Sequence, residues 1–414
     1  MSASPVRDVA VDRCVGGVTP TGLRVVAQHV PGSRCVGVTL VVGCGFVDER
    51  VGQAGYAHLI EHLLHQWSTG PGGDFLDAQV HRRGGMSNSR TYRHHTEYTA
   101  VAPASEVIWT SASHRLVWPR LDDEAVAAEV RVIAREVDEV TLDRPLGAFP
   151  WLQLPDALFT SYRETHDPFT KTAPVTGSED GGLRELFERT YTPGRAVLAV
   201  VGAIEPDAVL ADLDAARVES TDAELVATRV PVDRCRSDLP RHLVRVDGRL
   251  PGTARAEARE LDLPRDISWR AAAMVAAEVL SEQGGPTFSI GLFGPLRGPD
   301  CSLLVGTELT PLSPVSTDRD RGVAVTSAVE RAAEHPPAYD EIERARGNVR
   351  FAIESEFAGC ASHSAFLARE QLFGYPPNTL LAAVDALDLE QVVAVLSIAA
   401  NSDAGSVTIT GRAS

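Results

Sequence analysis

The spacing of apolar positions changes repeatedly along the first half of the chain, and each change predicts an element. Residues 22–29, GLRVVAQH, alternate. After Pro31-Gly32 the run CVGVTLVVGCG follows, so two strands joined by a turn are expected. In GYAHLIEHLLHQW the spacing becomes helical, with Tyr56, Leu59, Ile60, Leu63, Leu64 and Trp67 in one stripe. Gly84-Gly85 then open the segment 87–102, SNSRTYRHHTEYTAVA, whose threonines and tyrosines suit a strand. A second long helix is expected from Asp122-Asp123-Glu124, where negative charge complements the helix dipole. Val126, Val130, Ile133, Val137 and Val140 would line one side of it. Farther on, YTPG leads into the apolar strand RAVLAVVGAI, and a helix is expected from about Pro206.

The stretch 216–238 is polar and has no sustained period, which marks it as a linker. Beyond it the order loosely repeats. LVRVDG and ARAEARELDL read as strands, WRAAAMVAAEVLSEQ and IERARGNVRFAIESEF as helices, and SVTITG as a final strand. At 414 residues the chain suits two domains of about 200 residues. The expected organisation is 1–215, a linker at 216–238, and 239–414. The fold class is α+β, with two units of similar plan.

Composition narrows the function classes. A net charge of −17 argues against nucleic acid, whose binding needs a basic footprint. One basic residue is lysine, Lys171, and the rest are arginine. With abundant Ala, Val, Gly and Asp, that points to codon supply in a GC-rich bacterial genome rather than to chemistry. The six cysteines are scattered without a CxxC pair, as expected of reduced thiols in a cytoplasmic protein. No run approaches the length of a membrane span, and the N-terminal segment lacks a signal-peptide core, so no membrane partner is expected.

The helical stripe at 56–67 also carries the chemistry. His58, Glu61 and His62 form a His-x-x-Glu-His pattern, the reverse of the commoner zinc-protease order. Positions i, i+3 and i+4 of a helix share one face, so two imidazoles and a carboxylate converge. Neutral imidazole is a zinc ligand, and a neighbouring glutamate can take a proton from a water activated there. A catalytic zinc usually has three protein ligands and an open position. The third must come from elsewhere, and the helix bearing Glu129 and Glu136, two turns apart, is the best candidate.

Several landmarks in order resemble the pitrilysin/insulinase family of zinc peptidases, and particularly its mitochondrial-processing-peptidase-like branch. They are GCGFVDE at 43–49, GYAHLIEH, NSRTYRHHTEY at 88–98, EVRVIARE at 129–136, HDPF at 166–169 and YTPGRAVLAVVG at 191–202. The resemblance covers nearly the whole length. It implies two similar domains, each a mainly antiparallel sheet packed with helices. It also implies one Zn2+ per chain held by His58, His62 and Glu136, with Glu61 as general base and Glu129 orienting the site. Glu139, three residues beyond Glu136, competes for the third-ligand role. His65, His81, His94 and His95 are weaker candidates: a fourth ligand at His65 would block the open position, and His95 is expected to make a structural hydrogen bond.

The same resemblance makes the strand at Asn88, Ser89, Arg90 and Thr91 an edge to which a peptide substrate adds. Arg90 stands where the family usually has an aromatic residue, which would turn that subsite towards acidic or polar substrate residues. In the segment 291–306, Arg297 fits the first member of the family's substrate-holding Arg/Tyr pair. The Tyr position is Leu304, which has no hydrogen-bond donor for an oxyanion. The expected protein is therefore a zinc endopeptidase of short or unfolded peptides, acting as the zinc-bearing chain of a dimer. A heterodimer with a related chain carrying the Arg/Tyr pair is favoured. The alternative is a weak or inactive peptide-binding scaffold subunit.

Overall fold

The computed structural model describes residues 13–411 apart from 67–75, 105–107, 120, 144–145, 148, 160–171, 178–179, 217–241, 251, 292–293, 295, 297–301 and 312–323. The HDPF segment, Trp67, Lys171, Arg297 and all of the expected linker beyond 216 lie outside the described residues.

Two sheets organise the chain. The first contains β1 (Cys14–Val18), β2 (Arg24–His29), β3 (Cys35–Val42), β4 (Met86–Thr91), β5 (Thr96–Pro103) and β6 (Ala196–Gly202), in the order β1-β2-β6-β3-β5-β4. The second contains β7 (His242–Val246), β8 (Gly252–Glu260), β9 (Thr287–Ile290), β10 (Leu303–Pro311) and β11 (Ala404–Thr410), in the order β7-β11-β8-β10-β9. In the first sheet β2 and β6 run parallel, and in the second β7 and β11 do; the other pairs are antiparallel. The fold is α+β, with two mainly antiparallel sheets packed by helices. The two strands read on either side of Pro31-Gly32 both form, but they are not neighbours. β6, almost 160 residues later in the chain, slots between them. Its seven residues are all buried, as a central strand covered on both faces requires.

The helices are α1 (Tyr56–Gln66), α2 (Leu76–Arg82), α3 (Trp109–Ala112), α4 (Asp123–Thr141), α5 (Leu154–Leu158), α6 (Gly181–Thr190), α7 (Pro206–Ala216), α8 (Ile267–Glu282), α9 (Ala324–Glu334), α10 (Tyr339–Glu356), α11 (Cys360–Leu372), α12 (Thr379–Asp385) and α13 (Leu389–Ala400). Helix α4 begins where the acidic triplet placed it. Asp122 is its N-cap and accepts a hydrogen bond from the Ala125 amide at 2.8 Å. Val126, Ile133 and Val137 are its buried stripe.

Alternation on β3 separates two environments. Val36, Val38, Leu40 and Val42 pack with Leu59, Ile60 and Leu63 of α1. The intervening residues face α11, a helix from the far end of the chain. Thr39 Oγ1 lies 2.8 Å from Ser364 Oγ, and Val41 shares a core with Phe366, Leu367 and Leu372. Gly37 permits this contact, because a Cβ there would sit 2.1 Å from the Cys360 carbonyl oxygen. The arrangement is reciprocal. Helix α5, from the first half, lies on the second sheet, where Leu154, Leu158 and Phe159 pack with Ala256, Ala258, Val305 and Val407. Gly405 opens that contact: a Cβ there would sit 2.7 Å from Leu158 Cδ2 and 2.9 Å from the Ala157 carbonyl oxygen.

Buried ion pairs fasten the exchanged helix. Arg369 of α11 is fully buried; it donates to both Glu97 oxygens at 3.0 and 3.3 Å and to Glu356 at 3.2 Å. Glu97 also accepts from His95 Nε2 at 2.9 Å, the structural role expected of that histidine. Arg270 and Glu370 pair at 2.9 Å between α8 and α11.

Candidate active site

Helix α1 is held at its start by Glu49, a buried carboxylate in the GCGFVDE segment. It accepts from the Gly55 amide at 3.0 Å and the Ala57 amide at 2.7 Å, two of the donors a helix N-terminus leaves without partners. Gly45 lets the same segment run against the β4–β5 hairpin, since a Cβ there would lie 2.4 Å from the carbonyl oxygens of Tyr92 and Arg93. Asp48 pairs with Arg195 at 2.9 Å. The motif before α1 is therefore a mount for the helix. The sequence reading used it as a landmark and missed the capping role of Glu49. The available signal was a carboxylate a few residues ahead of an apolar helical stripe.

With α1 fixed, its Leu59/Ile60/Leu63 stripe faces the core and His58, Glu61 and His62 line a cleft of about 780 Å³. Helix α4 supplies the facing wall. His58 Nε2 and His62 Nε2 are 3.2 Å apart, and Glu136 Oε2 lies 3.7 Å from the first and 3.4 Å from the second. Two nitrogen ligands at about 2.05 Å from a tetrahedral zinc would be separated by about 3.3 Å, so the donor set fits that ion. His62 Nδ1 donates to Glu129 Oε2 at 2.9 Å, which fixes the tautomer and leaves Nε2 with its lone pair towards Glu136. Burial pushes the His58 imidazole below its usual range and outweighs the neighbouring Glu61, keeping it neutral as a ligand must be. Among the described residues, His58, His62 and Glu136 form the grouping able to hold a metal, with all donor atoms within 4.8 Å of one another. Glu139, the competitor, is exposed and outside it.

Glu61 is buried and points to β4 rather than to the histidines. Its Oε1 accepts from Ser89 Oγ at 2.7 Å and its Oε2 from Thr91 Oγ1 at 2.8 Å. His65 Nδ1 lies 3.2 Å from the same Ser89 hydroxyl and 3.4 Å from Asp77 Oδ2. Asp77 in turn pairs with buried Arg115 at 3.1 Å. Sequence reading did not find this chain of partners; Asp77 and Arg115 lie on separate elements with no local motif to link them. His65 is thus a hydrogen-bonding neighbour of Ser89 and stands apart from the metal cluster. His81 lies 3.4 Å from Ser87, and His94 is buried in the hairpin turn, also apart from the cluster.

Strand β4 ends the first sheet, and its residues alternate between faces. Ser89 and Thr91 turn to Glu61, while Asn88 and Arg90 take the opposite face and are exposed. In the second half Leu304 sits on β10, buried, opposite Arg259 and Ile290.

The chain resembles known proteins in both sequence and fold. Residues 24–148 match the family described as insulinase, peptidase family M16. Over 195 residues the chain is 32% identical to an uncharacterised zinc protease of Mycobacterium leprae, covering 46% of this chain and 43% of that one. Over 191 residues it is 25% identical to the mitochondrial-processing peptidase subunit beta of Saccharomyces cerevisiae, covering 45% and 40%. The match thus spans less than half the length of these curated relatives. Two solved structures share the fold over almost the whole chain. A protease from Helicobacter pylori superposes with a TM-score of 0.77 at 14% identity, covering 96% of this chain and 99% of that one. A peptidase M16 inactive domain from Pseudomonas fluorescens superposes with a TM-score of 0.74 at 13% identity, covering 97% and 98%. Residues 24–148 thus resemble an insulinase-family, peptidase family M16, domain, and the fold of M16 structures extends over almost the whole chain.

Proposed function

We propose that this chain is a zinc-dependent endopeptidase subunit that hydrolyses short or unfolded peptides. The observation that carries the reading is the convergence of His58, His62 and Glu136 beside Glu61, in a cleft bordered by β4, the edge strand of its sheet among the described residues. His58, His62 and Glu136 hold the ion, and Glu129 keeps His62 in its ligand tautomer. Zinc at this position supplies Lewis acidity towards a water and a peptide carbonyl. Glu61 takes a proton from the attacking water at a carboxylate oxygen and returns it to the leaving amine. The backbone of 88–91 aligns the peptide by strand addition. Residues 1–215 form the peptidase domain in this proposal, and 239–414 its companion. Leu304, an apolar side chain without a donor, supports a two-chain arrangement in which a related partner supplies the oxyanion contacts. It also favours the second reading, a peptide-binding subunit of low activity, akin to the neighbour described as an inactive domain.

The test is hydrolysis of an unstructured fluorogenic peptide by zinc-loaded protein, alone and with a co-encoded family member. Wild type should cut it, and Glu61→Gln should keep its zinc while losing at least about 100-fold in rate. Zinc-loaded wild type that cuts nothing under either condition refutes the peptidase reading.

A further inference from the structure

The two hydroxyls that grip Glu61 belong to the strand whose outer edge is free among the described residues. Which backbone groups point outward follows from the hydrogen bonds. The Tyr92 amide donates to the His95 carbonyl at 2.8 Å, and the Ala104 amide donates to the Arg34 carbonyl at 2.9 Å. In an antiparallel ladder, hydrogen-bonded and non-hydrogen-bonded pairs alternate. With Tyr92 bonded to His95, the register makes Arg90–Glu97 and Asn88–Thr99 the bonded pairs of β4 and β5. The β3–β5 register, counted from Arg34–Ala104, turns the even-numbered residues of β5 towards β3 and leaves the odd-numbered ones for β4, in agreement. The N–H and C=O groups of Ser89 and Thr91 therefore point away from β5, to the free edge. The same two residues aim their side chains at Glu61, one hydroxyl on each carboxylate oxygen.

We propose that Ser89 and Thr91 are positioning residues that tie peptide register to the base: their backbones pair with the incoming strand while their hydroxyls hold Glu61 over it. The inference rests on the peptidase reading above. Each hydroxyl has one proton, and in both residues it is given to Glu61. The carboxylate is thus fixed in two directions along the strand, centred on the level of Arg90. A peptide that slips by one residue on β4 presents the wrong bonding edge, and one that slips by two places a different peptide bond under the carboxylate. The cut site is set by backbone register against Ser89 and Thr91, with side-chain pockets adding preference to it. His65, which shares the Ser89 hydroxyl, keeps that hydroxyl from rotating away.

The experiment compares zinc-loaded full-length wild type with Ser89→Ala, Thr91→Val and the double variant, and with Ser89→Thr and Thr91→Ser, which keep a hydroxyl. Expected is an unchanged zinc content and a KM within about twofold, because the backbone edge is intact. The kcat of the double variant should fall by up to about 100-fold, the scale of a misplaced catalytic group. The conservative variants should recover most of it, and the double variant should cut a long peptide at more than one bond. A double variant with wild-type kcat and a single cut site overturns the inference. Crystal structures of wild type and double variant give a readout that needs no activity. A Glu61 carboxylate that stays in place without the hydroxyls overturns the inference, and one that leaves its position supports it. Inactive wild type sinks the peptidase reading alone, and the structures then decide the positioning role.

Discussion

Replacing Arg369 with methionine removes the cation that lets Glu97 remain charged between the two halves. Burial alone would push the Glu97 carboxyl up; the guanidinium of Arg369 and the hydrogen bond from His95 outweigh it and bring it from 4.5 down to about 2. That difference corresponds to about 3 kcal/mol of stability, present above about pH 4.5 and lost as the pH falls through about 2. Breaking a buried pair by removing one partner costs about 3–5 kcal/mol, which agrees. For 414 residues the unfolding entropy is about 0.9 kcal/mol/K, so the melting midpoint of Arg369→Met should fall by about 3–6 °C at pH 7. The sign with pH is specific. In the variant, burial raises the Glu97 carboxyl above its unfolded value, so protonation relieves the variant but not the wild type. The gap between them should narrow between pH 8 and pH 4. Adding Glu97→Leu should recover roughly half of the loss, since an apolar pair replaces a lone buried charge. Calorimetry across that pH range measures all three quantities. A midpoint within 1 °C of wild type, about 1 kcal/mol, or a gap independent of pH, refutes the reasoning.

Other consequences are as direct. Glu129→Ala frees the His62 ring and should weaken zinc binding by about 10- to 100-fold in competition with a chromophoric chelator; an unchanged affinity would show that Glu129 does not orient the ligand. Gly37→Ala places a methyl group against the Cys360 carbonyl and should cost about 1–3 kcal/mol in urea unfolding, so an unchanged midpoint would contradict the close approach of α11. Zinc at 100 times its dissociation constant should stabilise the fold by about 2.7 kcal/mol, and a chelator should reverse the gain in melting temperature. Zinc bound by mass spectrometry with no thermal shift would place the ion away from the α1–α4 pair.

Local chemistry was legible in the sequence, and long-range pairing was not. The helix carrying His58, Glu61 and His62 announces itself through its own period, and Asp122 announces the start of α4. The choice of Glu136 over Glu139 came from its spacing to Glu129 and from family resemblance, and the structure brings Glu136 to the histidines. The insertion of β6 between β2 and β3 leaves no local trace, because apolar strands look alike whichever neighbour they meet. The α11 segment shows why its role was hidden: Ala365, Phe366, Leu367 and Ala368 are buried in succession. A helix covered on most sides loses the one-sided stripe that sequence reading depends on. The grip of Ser89 and Thr91 on Glu61 joins residues about 30 positions apart, with no periodicity to connect them.

The exchange of α5 and α11 gives the molecule an unusual answer to being cut. A chain broken between its two sheets would yield two fragments, each holding the other's helix against its own sheet. They would stay together through that mutual clasp and travel as one particle until denatured.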